Sequence, residues 1–202
     1  MHADKWALKA KQEGYKTRAV YKLEEILLKT NSFNSAHKIL DIGSAPGGWS
    51  HYLKSKLPNS KIFAIDILQM DDIDGVSFFQ NSIESIDDIP EINSLKEKFN
   101  LVISDIAPNI TGINAVDIEN IYELNLLTLK AAHKYTDNNN GKFIMKTFQN
   151  NNLKGLRKEM EKLFSIVQTF KPAASKKQSA EIYLYGAKKK WWIAYLEIYL
   201  FG

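Results

Sequence analysis

The chain contains no cysteine. That removes disulfides, thiol nucleophiles and thiolate metal sites, and it suits a reducing compartment. Arginine is nearly as scarce, since of 27 Lys plus Arg residues only Arg18 and Arg157 are arginines. The four histidines, His2, His37, His51 and His133, are scattered; no His/Asp/Glu group has metal-ligand spacing, so no metal is expected. No run of about 18 apolar residues occurs, so no membrane-spanning helix is expected. The amino end carries acids and no apolar segment, so it does not read as a secretory signal. The dinucleotide fingerprint Gly-x-Gly-x-x-Gly is also missing, which disfavours an NAD-type oxidoreductase. There are no internal repeats.

What is present is enough chain for one well-cored domain, 202 residues at 45% hydrophobic composition, spanning 1–202. A formal charge of +4 suits a polyanionic partner. Met1 to Thr30 is basic and helical in pattern, with lysines interleaved with Trp6, Tyr15 and Tyr21, and two helices are expected to meet near Gly14. Residues 1–30 therefore read as a nucleic-acid-binding platform, or as an amphipathic helix whose Val20, Leu23, Ile26 and Leu27 pack on a sheet while its lysines are merely solvated.

From His37 onward strand and helix patterns alternate, the signature of a mostly parallel sheet covered on both faces. Strands are expected at 37–42, 61–66, 76–80, 101–105, 142–148, 165–170 and 181–186. Helices follow at 49–56, 117–135 and 153–163, the long one with Ile118, Tyr122, Leu126 and Leu129 on one face. Residues 83–99, polar and acidic, read as a surface helix and loop. The first strand runs into Gly43-Ser44-Ala45-Pro46-Gly47-Gly48-Trp49, a turn that allows positive φ and close approach of backbone N–H groups to a ligand. Asp66 ends the second strand about twenty residues on, where an acid can accept hydrogen bonds from ribose hydroxyls; it can also simply start a turn. Asp105 ends a buried strand at the edge where open α/β sheets bind ligands. Lys146 sits in an apolar strand, as an edge snorkel or, with Asp105 nearby, as a site residue. Residues 187–202 form a basic and then apolar tail, Lys188-Lys189-Lys190-Trp191-Trp192 to Phe201, which must be buried or partnered.

These segments resemble the FtsJ family of S-adenosylmethionine-dependent RNA ribose 2′-O-methyltransferases. The resemblance runs from about Tyr15 to Gly186. It is carried by Tyr15 to Leu23, the Asp41 to Trp49 turn, Ser104-Asp105-Ile106-Ala107-Pro108-Asn109, Met145-Lys146-Thr147-Phe148 and Ser179-Ala180-Glu181-Ile182-Tyr183. It implies a Rossmann-like α/β fold with a seven-stranded, mostly parallel sheet. It also implies a Lys-Asp-Lys-Glu tetrad at Lys22, Asp105, Lys146 and Glu181, and S-adenosylmethionine contacts at Gly43, Gly47, Gly48, Trp49, Asp66, Ser82 and Asp105. Ser82 departs from the pattern, since relatives of the bacterial large-subunit rRNA enzyme carry an aspartate there. The sub-pattern resembles the rRNA uridine branch, which implies large-subunit rRNA or a ribosomal particle as partner. A tRNA methyltransferase, or a non-catalytic RNA-binding assembly factor of the same fold, is the alternative. A monomer inside the cell is expected, in cytoplasm, nucleolus or an organelle such as the mitochondrion, with the tail as a possible contact.

The chemistry is consistent with these residue types. A ribose 2′-OH is a weak nucleophile that needs a proton acceptor or a field favouring alkoxide character. Lys146 is placed for either part, with Lys22 as second cation and Asp105 and Glu181 orienting the pair. Lys9, Lys16, Lys176 and Lys177 are expected to hold phosphates without reading sequence.

Overall fold

The computed structural model describes residues 4–108 and 111–190. Helices α1 (Lys5–Gln12) and α2 (Ala19–Lys29) precede strand β1 (Lys38–Ile42). There follow α3 (Gly48–Lys56), β2 (Lys61–Asp66), β3 (Val76–Gln80), a short α4 (Pro90–Asn93) and β4 (Leu101–Ser104). The chain continues through α5 (Asn114–Tyr135), β5 (Lys142–Phe148), α6 (Leu153–Leu163), β6 (Phe164–Phe170) and β7 (Glu181–Lys189). The seven strands form one sheet in the order β3-β2-β1-β4-β5-β7-β6. The pairs among the first five strands are parallel, and β7 is inserted antiparallel between β5 and β6. Strand order reverses at β1 and β4, which opens a crevice at their carboxyl ends. Because β7 runs the other way, its first residue, Glu181, lies at that same end, opposite Phe148.

The period of two along the strands divides the core. Ile39, Ile62, Leu101, Ile103, Ile144 and Tyr183 face α1, α2 and α3. Leu40, Ile42, Ile65, Val102, Phe143 and Met145 face α5 and α6. In α2 the apolar positions Val20, Leu23, Ile26 and Leu27 recur at helical spacing and are fully buried. The basic amino-terminal segment is thus anchored in the main core, and Gly14, at φ +79°, turns the chain between its two helices as expected.

Three expectations change. Residues 83–99 are not a surface element: Ile83, Ile86, Ile89, Ile92 and Phe99 are buried against the α5 face of the sheet. Their acidic neighbours masked the spacing of these apolar residues. Of the expected face of α5, Leu129 is buried and Tyr122 and Leu126 pack partly buried against the same cluster, while the buried positions also include Asp117, Ile121, Asn125, Thr128, Ala132 and Tyr135. Hydrogen bonding explains the polar members, for Asn125 Nδ2 donates to Thr147 Oγ1 of β5 at 2.8 Å. Finally, β7 does not stop at Gly186, so Ala187, Lys188 and Lys189 belong to the sheet rather than to a tail. Lys188 has φ +57°, and the Lys189 ammonium is buried, donating to the Thr136 carbonyl at 3.0 Å where α5 ends. Asn109 of the third motif and the apolar run Trp191 to Phe201 lie outside the described residues. No helix among the described residues is long and apolar enough to cross a membrane.

Candidate active site

The turn after β1 is built by hydrogen bonding to the neighbouring strand. Gly43 N–H and Ser44 N–H both donate to the Ile65 carbonyl, at 2.8 and 3.2 Å. Gly43 has φ +75°, and a Cβ there would stand 2.6 Å from Ile106 Cβ, so only glycine lets the turn lie against the loop after β4. Gly47 has φ +93°, and a Cβ there would stand 2.8 Å from Ile73 Cδ1. Asp66, at the end of β2, accepts from Ala45 N–H at 2.9 Å and from Leu68 N–H at 2.8 Å. It ties the turn to β2 while keeping lone pairs for a ligand.

Beyond this turn lies a cavity of about 830 Å³. One end is walled by Asp66, Ile67, Leu68, Asn81, Ile83 and Glu84, and the other by Asp105, Ile106 and Lys146. Asn120, Glu123, Leu124 and Leu127 of α5 contribute a further wall. Its size and mixed lining are those of a small-molecule site. Ile67 and Leu68 are about two-thirds exposed, so that end offers apolar surface to a planar ligand. A second groove of about 590 Å³ lies at the amino ends of β1 and β2, lined by Phe33, His37, Tyr52 and Lys56. It includes none of the groups described next.

At the carboxyl end of the sheet two ion pairs meet. Lys146 Nζ lies 3.1 Å from Asp105 Oδ1 and also donates to the Asp105 carbonyl. Lys22 Nζ lies 2.7 Å from Glu181 Oε1. Tyr183, opposite Lys146 in the β5–β7 ladder, donates its hydroxyl to Asp105 Oδ1 at 3.3 Å. The two pairs act on each other. Burial pushes the Asp105 carboxyl up, against the pull of Lys146 and Lys22. Burial also opposes ionisation of Glu181, yet Lys22, Ser175 and Lys146 together hold its carboxyl below the usual range. All four expected tetrad side chains therefore stand in one cluster, with Lys146 and Asp105 on the cavity wall.

The expected ligand contacts divide. Gly43, Asp66 and Asp105 line the cavity, whereas Gly47, Gly48, Trp49 and Ser82 do not. Trp49 is buried; its indole N–H donates to the Ala19 carbonyl at 2.9 Å, and its ring lies 5.9 Å from Tyr183. It thereby fastens α3 to the start of α2, three residues before Lys22. Ser82 turns its hydroxyl to the Glu84 carboxylate, and Glu84 lines the wall in its place. Sequence reading missed Glu84 because nothing local distinguishes it from its acidic neighbours.

Asp41, which opens the glycine-turn motif, is not on the cavity wall. It is buried in β1 and accepts from Ser50 Oγ at 2.7 Å through Oδ2, while Oδ1 has no hydrogen-bond partner among the described residues. Burial, with Asp105 and Asp66 adding repulsion, pushes its carboxyl up to about 7. The Ser44 hydroxyl in the turn is likewise buried and unpartnered.

The expected phosphate contacts also separate. Lys16 pairs with Asp71 at 2.6 Å and donates to the Pro46 carbonyl, and Lys9 pairs with Glu13 at 3.7 Å. Lys176 and Lys177 are exposed on the loop next to Ser175, whose hydroxyl donates to Glu181 Oε1 at 3.0 Å.

Known proteins share the fold that carries these groups. The model of the FtsJ-like methyltransferases matches residues 15–189. The ribosomal RNA large subunit methyltransferase E of Wigglesworthia glossinidia brevipalpis is 37% identical over 190 residues, covering 94% of this chain and 93% of its own length. The protein of that name from Nitrosospira multiformis is 38% identical, over 93% of this chain and 92% of its own length. A crystal structure from Plasmodium falciparum, described as a ribosomal RNA methyltransferase, superposes with a TM-score of 0.71 at 29% identity. It covers 86% of this chain and 97% of its own. Human methyltransferase-like protein 13, solved in complex with SAH, shares the fold at a TM-score of 0.54 and 14% identity, covering 78% of this chain and 74% of its own.

Proposed function

The chain belongs to the FtsJ-like methyltransferase family, and from that premise we propose that it transfers a methyl group from S-adenosylmethionine to a uridine 2′-OH of large-subunit rRNA. The observation that carries the reading is the Lys146–Asp105 pair on the wall of a cavity whose other end is built from Asp66, Ile67, Leu68 and Glu84.

The residues present fit this cofactor. Gly43 keeps the turn thin, Asp66 lines the cavity with acceptor capacity for ribose hydroxyls, and Ile67, Leu68 and Ile83 line it with apolar surface suited to a base. Glu84 lines the same end of the cavity as an acceptor for an exocyclic amine. The buried, unpartnered Asp41 Oδ1 and Ser44 Oγ sit on the same strand and turn. When bound, S-adenosylmethionine supplies an electrophilic methyl on a sulfonium.

This chain's own residues then align the acceptor. Transfer to an oxygen is an in-line displacement, so holding the 2′-oxygen contributes much of the acceleration. Lys146 Nζ donates to the Asp105 carbonyl and lies 3.1 Å from Asp105 Oδ1, so the aspartate holds it at two points on the cavity wall. We therefore assign it the holding role: it fixes the 2′-oxygen and favours negative charge there as the O–CH3 bond forms, the S–CH3 bond breaks and the hydroxyl proton passes to solvent water. Asp105 fixes Lys146, and the Lys22–Glu181 pair sets the second charge beside it. The 2′-OH also makes RNA the substrate, since DNA lacks that oxygen.

The test is a labelled-methyl transfer assay on large-subunit rRNA, with mapping of 2′-O-methyl positions. Lys146→Ala is expected to retain S-adenosylhomocysteine binding and to lose turnover by about 10²-fold or more. Unchanged turnover in that variant, or no methyl incorporation by the wild-type protein, would overturn the proposal.

A further inference from the structure

Between β6 and β7 the chain makes a ten-residue excursion, 171–180, that ends beside the ion pairs rather than in solvent. Its geometry is held at several points. Lys171 Nζ donates to the carbonyls of Ser179 and Glu181, closing the base of the loop. Ala173 N–H donates to Glu25 Oε2 of α2 at 2.7 Å, and Ala174 is buried in the core with α2. The next residue, Ser175, is 8% exposed, and its hydroxyl donates to Glu181 Oε1.

That oxygen is the one Lys22 also contacts. A carboxylate is free to turn about its last torsion, and a lysine ammonium is a compact charge that constrains this turn weakly. A hydroxyl fixed by a packed backbone is directional. Glu181, being ionised, can only accept, so the serine is the donor. The α2 helix thus supplies Lys22 from one side and, through Glu25, places the loop that supplies Ser175 from the other.

We infer that Ser175 is a positioning residue for methyl transfer: it sets the Glu181 carboxylate, and through it the Lys22 ammonium, beside Lys146. The inference rests on the methyl-transfer reading above. Among the described residues the Ser175 hydroxyl bonds to Glu181 and not to Lys146 or Asp105, and Ser175 is not on the cavity wall, so it acts on turnover and leaves ligand binding alone. Its loss also weakens the support that keeps Glu181 ionised against burial. Lys22, Lys146, Asp105 and Tyr183 are the other charged or titratable groups acting on Glu181.

The experiment is a double-mutant cycle on the full chain, read as steady-state methyl transfer to large-subunit rRNA. Ser175→Ala is expected to lower kcat about tenfold, the worth of one hydrogen bond to a charged group, with KM for RNA and S-adenosylhomocysteine affinity within about twofold. In a Glu181→Ala background the same change is expected to cost nothing more. Ser175→Thr, which keeps the hydroxyl, restores turnover. Should Ser175→Ala fold poorly, Ser175→Cys, near in size and a weak donor, carries the same cycle. An equal loss in both backgrounds, a loss confined to KM, or wild-type turnover in Ser175→Ala would each overturn the inference. If the wild-type protein methylates no RNA, it is the methyl-transfer reading that fails. A dead Lys146→Ala beside a fully active Ser175→Ala sinks only the present inference.

Discussion

Asp41 shows how much one buried carboxyl can impose on the molecule. Its folded-state value of about 7 lies above the ordinary 3.8, so folding favours the protonated form. The sign follows: its contribution to stability is complete below the unfolded value and is lost as pH rises through about 7. Asp41→Asn removes this dependence. The stability of wild type relative to Asp41→Asn is therefore expected to fall between about pH 4 and pH 7, by an amount on the order of 4 kcal/mol at most. Parallel thermal melts across that range would show it, and a difference independent of pH would refute it. Residue identity was the most legible level at the ion pairs and the least legible at Glu84. Lys22, Asp105, Lys146 and Glu181 were marked by the strands and motifs that carry them. Glu84 serves the wall because Ser82 turns toward it, a side-chain contact that no periodicity encodes.

At the scale of elements, the turn between β1 and α3 couples conformation to packing. Gly43 combines φ +75° with a Cβ position 2.6 Å from Ile106 Cβ, so Gly43→Ala meets strain and a clash together. The variant is expected to lose about 1–3 kcal/mol of stability and to bind S-adenosylhomocysteine more weakly, because turn and β4 loop must separate at the cavity. Chemical denaturation and calorimetric titration check the two effects; wild-type values in both would contradict this account. Element boundaries followed closely from the sequence where apolar and β-branched residues alternate, as in β2, β3 and β5. They failed where polarity misled. The run after β3 buries isoleucines among acids, and α5 buries Asn125 because Thr147 receives its hydrogen bond. Lys189 continues β7 inward because the end of α5 offers the Thr136 carbonyl.

For the whole molecule, charge placement matters more than the net +4. Lys9 and Lys16 spend their charge on Glu13 and Asp71, whereas Lys176 and Lys177 stand exposed beside the loop that holds Glu181. Replacing both Lys176 and Lys177 by alanine is expected to flatten the plot of log RNA affinity against log salt by about 1 to 1.5, at roughly 0.7 per phosphate contact on single strands. Lys16→Ala should change that slope much less. Filter-binding titrations at several salt concentrations decide this, and an unaltered slope in the double variant would rule the loop out as a phosphate contact. The sequence by itself determined the strand–helix alternation, the glycine turn and the acids at strand ends, because these rest on local spacing and backbone geometry. Only the tertiary structure decided which charges meet. The Lys146–Asp105 contact spans 41 residues of chain, and the Lys22–Glu181 pair exists because an antiparallel β7 returns its first residue to the carboxyl edge of a parallel sheet. The sharing of Glu181 by Lys22 and Ser175 likewise depends on α2 and a distant loop packing into one core, a long-range event that local pattern does not contain.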